Sequence, residues 1–315
     1  MGEKAAAGRL LDRAVELSLI AGAMQSASSG SGSALLVEGS AGIGKTSLLT
    51  YACEQAALAG MTVLAGRSAE YESGYAWGVV RQLFAPETRA DRHQQVAGDA
   101  ARLAAPALTH GSHRAEEDAF SVLHGLYWLT AGIAQRGPLL LAVDDLHWAD
   151  QPSMRFIGHL VRRLEGLPVV LVLTVREPRS GTAQDKALTA SLAAEPKVTV
   201  LRPAALGTEA CAELVRGSLG GDPSGAFQDA CRELTGGNPL LLQALLTSLV
   251  AEDVRGQDAD VPHLRRLTPD TVARGVLLQL GRMPPAALAA ARAVVVAAAV
   301  AQASATSWSF ESKCR

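Results

Sequence analysis

The sequence predicts an α/β fold in which a parallel five-stranded sheet flanked by helices is followed by a smaller all-helical domain. Three observations predict it. Five short apolar runs rich in β-branched residues, Ala34–Glu38, Thr62–Gly66, Leu139–Asp144, Val169–Val175 and Val198–Leu201, recur with helix-like stretches between them. The first four hardly alternate, as expected of strands buried on both faces. After Pro203 such runs stop and only helical periodicity continues. Aromatic residues make up 4% of the chain against 48% apolar, much of it alanine, which favours close-packed helices over a thick all-β sandwich.

At about 150 residues per domain, the 315 residues make room for roughly two domains. A helical pattern over Gly8–Met24 carries Leu10, Leu11, Ala14, Leu17 and Ile20 at helical spacing, then gives way to a Ser/Gly linker over Ser26–Ser33, so residues 1–33 read as an N-terminal helix and linker. Residues 34–203 hold the strands. Within them, Arg67–Pro138 is longer than one crossover helix needs and reads as a helical insertion with helices at Tyr75–Phe84 and Glu116–Gln135. Residues 204–285 read as the helical domain, with helices at Thr208–Leu219, Ser224–Thr235, Pro239–Ala251 and Thr271–Leu280 before Pro284 and Pro285. Residues 286–315 lose periodicity and read as a truncated or divergent tail.

A net charge of −2 and a pI near 6.4 provide no overall field for a polyanion, so DNA binding would need a local patch. The four cysteines show no CxxC spacing and read as thiols of a reducing compartment. Met1–Arg13 lacks a continuous apolar segment, and Ala286–Ala301, mostly Ala and Val, is interrupted by Arg292. That falls short of the ~20 apolar residues of a membrane span. The expectation is a cytoplasmic protein with no membrane partner.

Immediately after the first strand, Gly39, Ser40, Ala41, Gly42, Ile43, Gly44, Lys45 and Thr46 form G-x4-G-K-[ST], and Ser47 with Leu48 and Leu49 opens a helix. Even with 30 glycines in the chain, chance gives roughly 0.005 such matches before the strand and helix flanks are required. Glycines let the chain fold back so that successive N–H groups face a phosphate, and the helix N-terminus adds positive potential. Lys45 would reach the β- and γ-phosphates of ATP, and Thr46 would place its hydroxyl on Mg²⁺. The sheet is then that of a P-loop NTPase.

The run Leu139–Asp144 followed by Asp145 ends a buried strand in two carboxylates, costly unless a cation or donors receive them. Beside a phosphate loop, Asp144 reads as the acid that holds Mg²⁺ through water and Asp145 as the residue that polarises the attacking water. Aspartate is one methylene shorter than glutamate, so hydrolysis should be slow, which suits a switch better than a motor. If the Val169–Val175 strand lies between the phosphate-loop strand and the acidic strand, Thr174 and Arg176 point toward the γ-phosphate. Arg176 then senses ATP against ADP by charge; otherwise it is a solvated arginine beside Glu177. Thr235-Gly236-Gly237-Asn238-Pro239-Leu240 reads as a helix stop, a turn and a new start.

Together these elements resemble the STAND branch of AAA+-related ATPases, most closely the N-terminal nucleotide-binding region of the large ATP-binding LuxR-type transcriptional regulators. The match is carried by Leu11-Asp12-Arg13, VEGSAGIGKTSLL from Val37, YAWGVVRQLF from Tyr75, LLLAVDDLHWAD from Leu139, LTVRE from Leu173 and TGGNPLLLQALL from Thr235. The resemblance covers about Gly8 to Pro285. It implies that Asp12 and Arg13 lie against adenine, that Arg176 is the first sensor, and that Pro239 packs near the base. His147 and Trp148 belong to its LHWAD signature, as a capped loop or as direct participants. Such regulators continue through a winged-helix segment, a helical-repeat sensor and a C-terminal DNA-binding domain. That pattern does not follow Pro285, so DNA is expected as a partner only through a domain absent from this chain.

The function implied is an ATP-binding switch with low-turnover ATPase activity, ATP/ADP as ligands and possible self-association. Two alternatives are a stand-alone AAA+ ATPase of origin-recognition type acting on a macromolecule, and a P-loop kinase with a lid drawn from Arg176, Arg179 and Arg202.

Overall fold

The computed structural model describes residues 10–89, 102–109, 119–176 and 183–266. It forms two compact units, one of residues 14–39 and 45–203 and the other, over the described residues, of 10–13, 40–44 and 204–266.

The first unit holds five strands, β1 (Ser33–Gly39), β2 (Thr62–Arg67), β3 (Leu139–Asp144), β4 (Val169–Arg176) and β5 (Val198–Leu201), in the order β2-β3-β4-β1-β5. All four pairings are parallel. The near-continuous apolar runs are explained by burial on both faces: β3 is buried along its whole length, and β4 up to Arg176. Helices α1 (Ala14–Ser28) and α2 (Lys45–Leu58) pack on the sheet through Ile20, Ala23 and Ala27 and through Leu48, Leu49, Ala52 and Ala56. A larger apolar cluster joins α3 (Gly78–Arg89), α4 (described over 102–108), α5 (Ala119–Ala134) and α6 (Gln151–Val161) to Leu36, Leu64, Leu141, Leu171 and Leu173. A further helix, α7 (Ala183–Ala193), adds Leu192. The fold is α/β with a five-stranded parallel sheet flanked by helices.

The second unit contains α8 (Thr208–Leu219), α9 (Gly225–Thr235), α10 (Pro239–Ala251) and the short α11 (Val261–Arg266). Val215, Phe227, Cys231, Leu242, Leu245 and Leu249 form its core, with Leu11 packed against it. Ser224 caps α9 by accepting from Phe227 N, and Gly236 closes it in a left-handed conformation.

Three local expectations change. The predicted helix over Gly8–Met24 starts only at Ala14, because Asp12 adopts a left-handed φ of 53°. The predicted Ser/Gly linker is largely structured: α1 runs to Ser28, and a Cβ on Gly32 would meet the carbonyls of Leu164 and Leu167 at 2.5 and 2.7 Å. Gly32 marks close backbone approach rather than slack. The first insertion helix begins at Gly78, not Tyr75, because Trp77 takes a left-handed φ of 63°. The predicted helix Thr271–Leu280, the tail 286–315, Arg179 and Arg292 lie outside the described residues.

Candidate functional site

Parallel pairing brings the carboxyl ends of β3, β4 and β1 side by side, with β4 in the middle and Gly39 in register with Arg176. This is the placement that the reading of Thr174 and Arg176 required. Lys45, the first residue of α2, is buried and donates from Nζ to the Gly39 carbonyl at 2.9 Å. The next residue, Thr46, places Oγ1 at 3.0 and 3.3 Å from the two carboxylate oxygens of Asp144. Ser47 is exposed one position further along the helix.

Asp144 is 4% exposed, and a buried carboxylate needs donors. It has two hydroxyls: Thr46, and Thr174 on β4, whose Oγ1 lies 2.6 Å from Oδ1. The Thr174 oxygen accepts in turn from the Asp145 amide at 2.8 Å. A hydroxyl has one proton, and Thr174 gives its proton to Asp144, so Thr174 fixes the two acids in place.

Asp145 follows in a left-handed conformation, φ 54°. Burial and then the neighbouring Asp144 carboxylate raise its pKa above the ordinary aspartate value, against the opposing pull of Arg67 and Lys45. Arg67, the last residue of β2, reaches both acids, with Nε 3.7 Å from Asp144 and Nη2 3.4 Å from Asp145. Its role was not legible from sequence, since only the β2–β3 pairing brings it beside residues 77 and 78 positions away. Glu38, buried on β1, is paired with Arg202 at 2.9 Å.

In the LHWAD segment, His147 and Trp148 sit in a short 3₁₀ turn with ring centroids 5.0 Å apart. Asp150 caps α6 through Ser153 N at 2.9 Å and also accepts from Trp77 N at 2.7 Å. This last residue of the signature is therefore a buried structural acceptor.

In the other unit, the loop of residues 40–44 contains Gly42 at φ +79° and Gly44 at φ +103°, a region open chiefly to glycine. Three successive carbonyls of the loop accept hydrogen bonds: Ala41 from Asn238 Nδ2 at 2.9 Å, Gly42 from Leu240 N at 3.3 Å, and Ile43 from Arg13 Nη2 at 3.0 Å. Asn238 also caps α10, its Oδ1 accepting from Leu240 N and Leu241 N, and Pro239 occupies the first helical position. Asp12 accepts from Gly207 N at 2.8 Å. The structure thus gives Asp12 and Arg13 main-chain partners; sequence reading placed Asn238 only in a helix–helix turn. A hydroxyl beside a buried carboxylate, with a second carboxylate of raised pKa, can bind a hard cation through oxygen and take up a proton from water.

Comparison with known proteins gives a sequence relative and similar solved structures. An uncharacterised protein of Rhizobium meliloti (strain 1021), R02095, is 28% identical over 219 residues, 60% of this chain and 20% of its own length. The chain thus spans about a fifth of the curated relative it matches. The Aeropyrum pernix ORC2 protein, solved in ADPNP–ADP complexes, aligns with a TM-score of 0.51 at 13% identity, covering 88% of this chain and 72% of ORC2. A Pyrococcus horikoshii STAND protein with a tetratricopeptide repeat sensor aligns at 0.44 and 17% identity, covering 82% and 34%. The sequence from residue 9 to residue 173, which carries the glycine loop, Lys45, Asp144 and Asp145, matches the AAA ATPase domain, and the chain belongs to that family.

Proposed function

We propose that the chain is an ATP-binding, slowly hydrolysing nucleotide switch domain of a LuxR-type STAND transcriptional regulator. Residues 34–203 serve as its P-loop core and 204–285 as its helical lid-like domain. The observation that carries this reading is the meeting of Thr46 and Asp144 at 3.0 Å, next in sequence to the buried Lys45. The donor set fits Mg²⁺. The Thr46 proton is directed at Asp144, which leaves the hydroxyl lone pairs for a metal, and hard divalent cations take such oxygens. A Cβ at Gly44 would meet nothing within 4 Å, so that side of the glycine loop is open to a phosphate.

On this reading Gly39 to Ser47 hold the phosphates, Lys45 pairs with the β- and γ-oxygens, and Thr46 and Asp144 hold Mg²⁺. Mg²⁺ would neutralise charge developing on the phosphates. Asp145 orients and deprotonates water, and Arg176 senses the γ-phosphate. Asp12, Arg13 and Pro239 belong to the nucleotide's surroundings. Operator recognition falls to a domain outside these residues, and self-association and a cytoplasmic location belong to the same proposal. Among the described residues no helix is long and apolar enough to cross a membrane.

The test is nucleotide binding and single-turnover hydrolysis in wild type, Lys45→Ala and Asp145→Asn. Lys45→Ala is expected to weaken ATP binding about 10- to 100-fold, the worth of a charged hydrogen bond. Asp145→Asn is expected to retain binding and lose hydrolysis by about 10²-fold or more. Normal hydrolysis by Asp145→Asn would refute its assignment as the base.

A further inference from the structure

We propose that Asn238 and Arg13, with the Leu240 amide, form a carbonyl clamp that sets the direction of the phosphate-loop N–H groups, which makes both side chains positioning residues for nucleotide phosphate. The proposal rests on the ATP reading above. In a trans peptide the carbonyl of one residue and the amide of the next point to opposite sides of the chain, and no described peptide bond is cis. The carbonyls of Ala41, Gly42 and Ile43 are turned toward Asn238 Nδ2, Leu240 N and Arg13 Nη2. The amides of Gly42, Ile43 and Gly44 therefore project from the opposite face of the loop. Three successive N–H groups facing one way form an anion-binding concavity.

The clamp has little slack. A Cβ on Gly42 would lie 2.7 Å from Asn238 Oδ1 and 2.9 Å from Leu240 Cβ, and Arg13 is 4% exposed. Glycine at 42 and 44 lets the loop take positive φ, but the same freedom lets an unheld peptide flip and swing its N–H away. Donors on the carbonyl side remove that alternative. Asparagine suits the position because one amide does two jobs: Oδ1 caps α10, and Nδ2 donates to Ala41. Aspartate and serine can cap equally well, but aspartate supplies no donor and serine carries a single hydroxyl on Cβ where asparagine has the longer carboxamide.

That difference separates the clamp from the cap. In Asn238→Asp and Asn238→Ser of the full chain, the nucleotide-free melting temperature is expected to fall only modestly, by the loss of the one hydrogen bond to Ala41 with the cap of α10 retained. Binding of a fluorescent ATP analogue should weaken about tenfold, the loss of one part-buried hydrogen bond that orients the site. The Gly42 and Gly44 amide resonances, shifted by ADP in wild type, should move less in both variants, a change that a purely structural cap would not produce. Wild-type affinity and wild-type amide shifts in either folded variant would overturn the clamp. So would the unfolding of both variants, which would make Asn238 a structural residue of α10. If wild type binds ATP and Lys45→Ala does not, those outcomes count against the clamp alone. If wild type fails to bind ATP, the ATP reading falls and the clamp with it.

Discussion

Asp145 is held between opposing influences: burial and Asp144 favour its protonated form, Arg67 and Lys45 its charged form, and the first pair prevails. Removing Arg67 removes one of the restraining charges. In Arg67→Gln the acid limb of the hydrolysis–pH profile is therefore expected to move to higher pH, because a base that works as a carboxylate then needs less acidic solution to ionise. The same imbalance bears on stability. A carboxyl with a higher pKa folded than unfolded favours the folded chain fully below its unfolded value and loses that contribution as pH rises through its folded value. Asp145→Asn should consequently raise the nucleotide-free melting temperature at pH 7, with the gain shrinking as pH falls toward 3.8; an unchanged difference across pH would refute this. The two acids were legible because carboxylates ending an apolar strand demand a cation or donors. Arg67 was not, since nothing local to a strand-ending arginine says which strand lies beside it. Thr174 was read at the correct edge, but its link to Asp144 depends on the direction of one hydroxyl proton, which spacing does not encode.

Elements owe their boundaries to single polar contacts. Asp150 caps α6 and accepts from the buried Trp77 amide while Trp77 sits at φ 63°. Asp150→Ala thus removes a cap and orphans a buried donor, and should cost about 2–4 kcal/mol in urea denaturation. Gly42→Ala sets a Cβ against Asn238 and Leu240 in a left-handed conformation, so ATP binding should be lost with little change at sites remote from the loop. Strand limits were read to within a residue at each end, because complete burial leaves long apolar runs with sharp polar ends. The start of α1 was not, because Leu10 and Leu11 keep helical spacing although Asp12 turns the chain to bond Gly207, 195 residues away. Serines and a glycine read as a linker proved to be a helix end and a packed contact, since composition does not distinguish a flexible glycine from one that lies against a neighbouring carbonyl.

Among the described residues, one hydrophobic core is built on the sheet and another lies among α8–α11. Leu171, on the middle strand, is fully buried, and Phe227 is fully buried in the helical core. Truncation to alanine should cost about 2–5 kcal/mol at Leu171 and about 3–5 kcal/mol at Phe227, read by chemical denaturation; losses below 1 kcal/mol would show that these side chains are not core. Fold class was legible from the change from β-branched runs to helical periodicity at Pro203. Strand order was not, apart from the condition placed on β4, because parallel pairing depends on crossovers whose direction no local pattern records. The bond from Asn238 to Ala41 joins positions 197 apart. Because Ala41 contributes only its main-chain carbonyl, a recombination breakpoint between them preserves the bond wherever the second parent brings asparagine at 238, whereas the close approach at Gly42 makes a larger residue there incompatible with Asn238 and Leu240 from either parent.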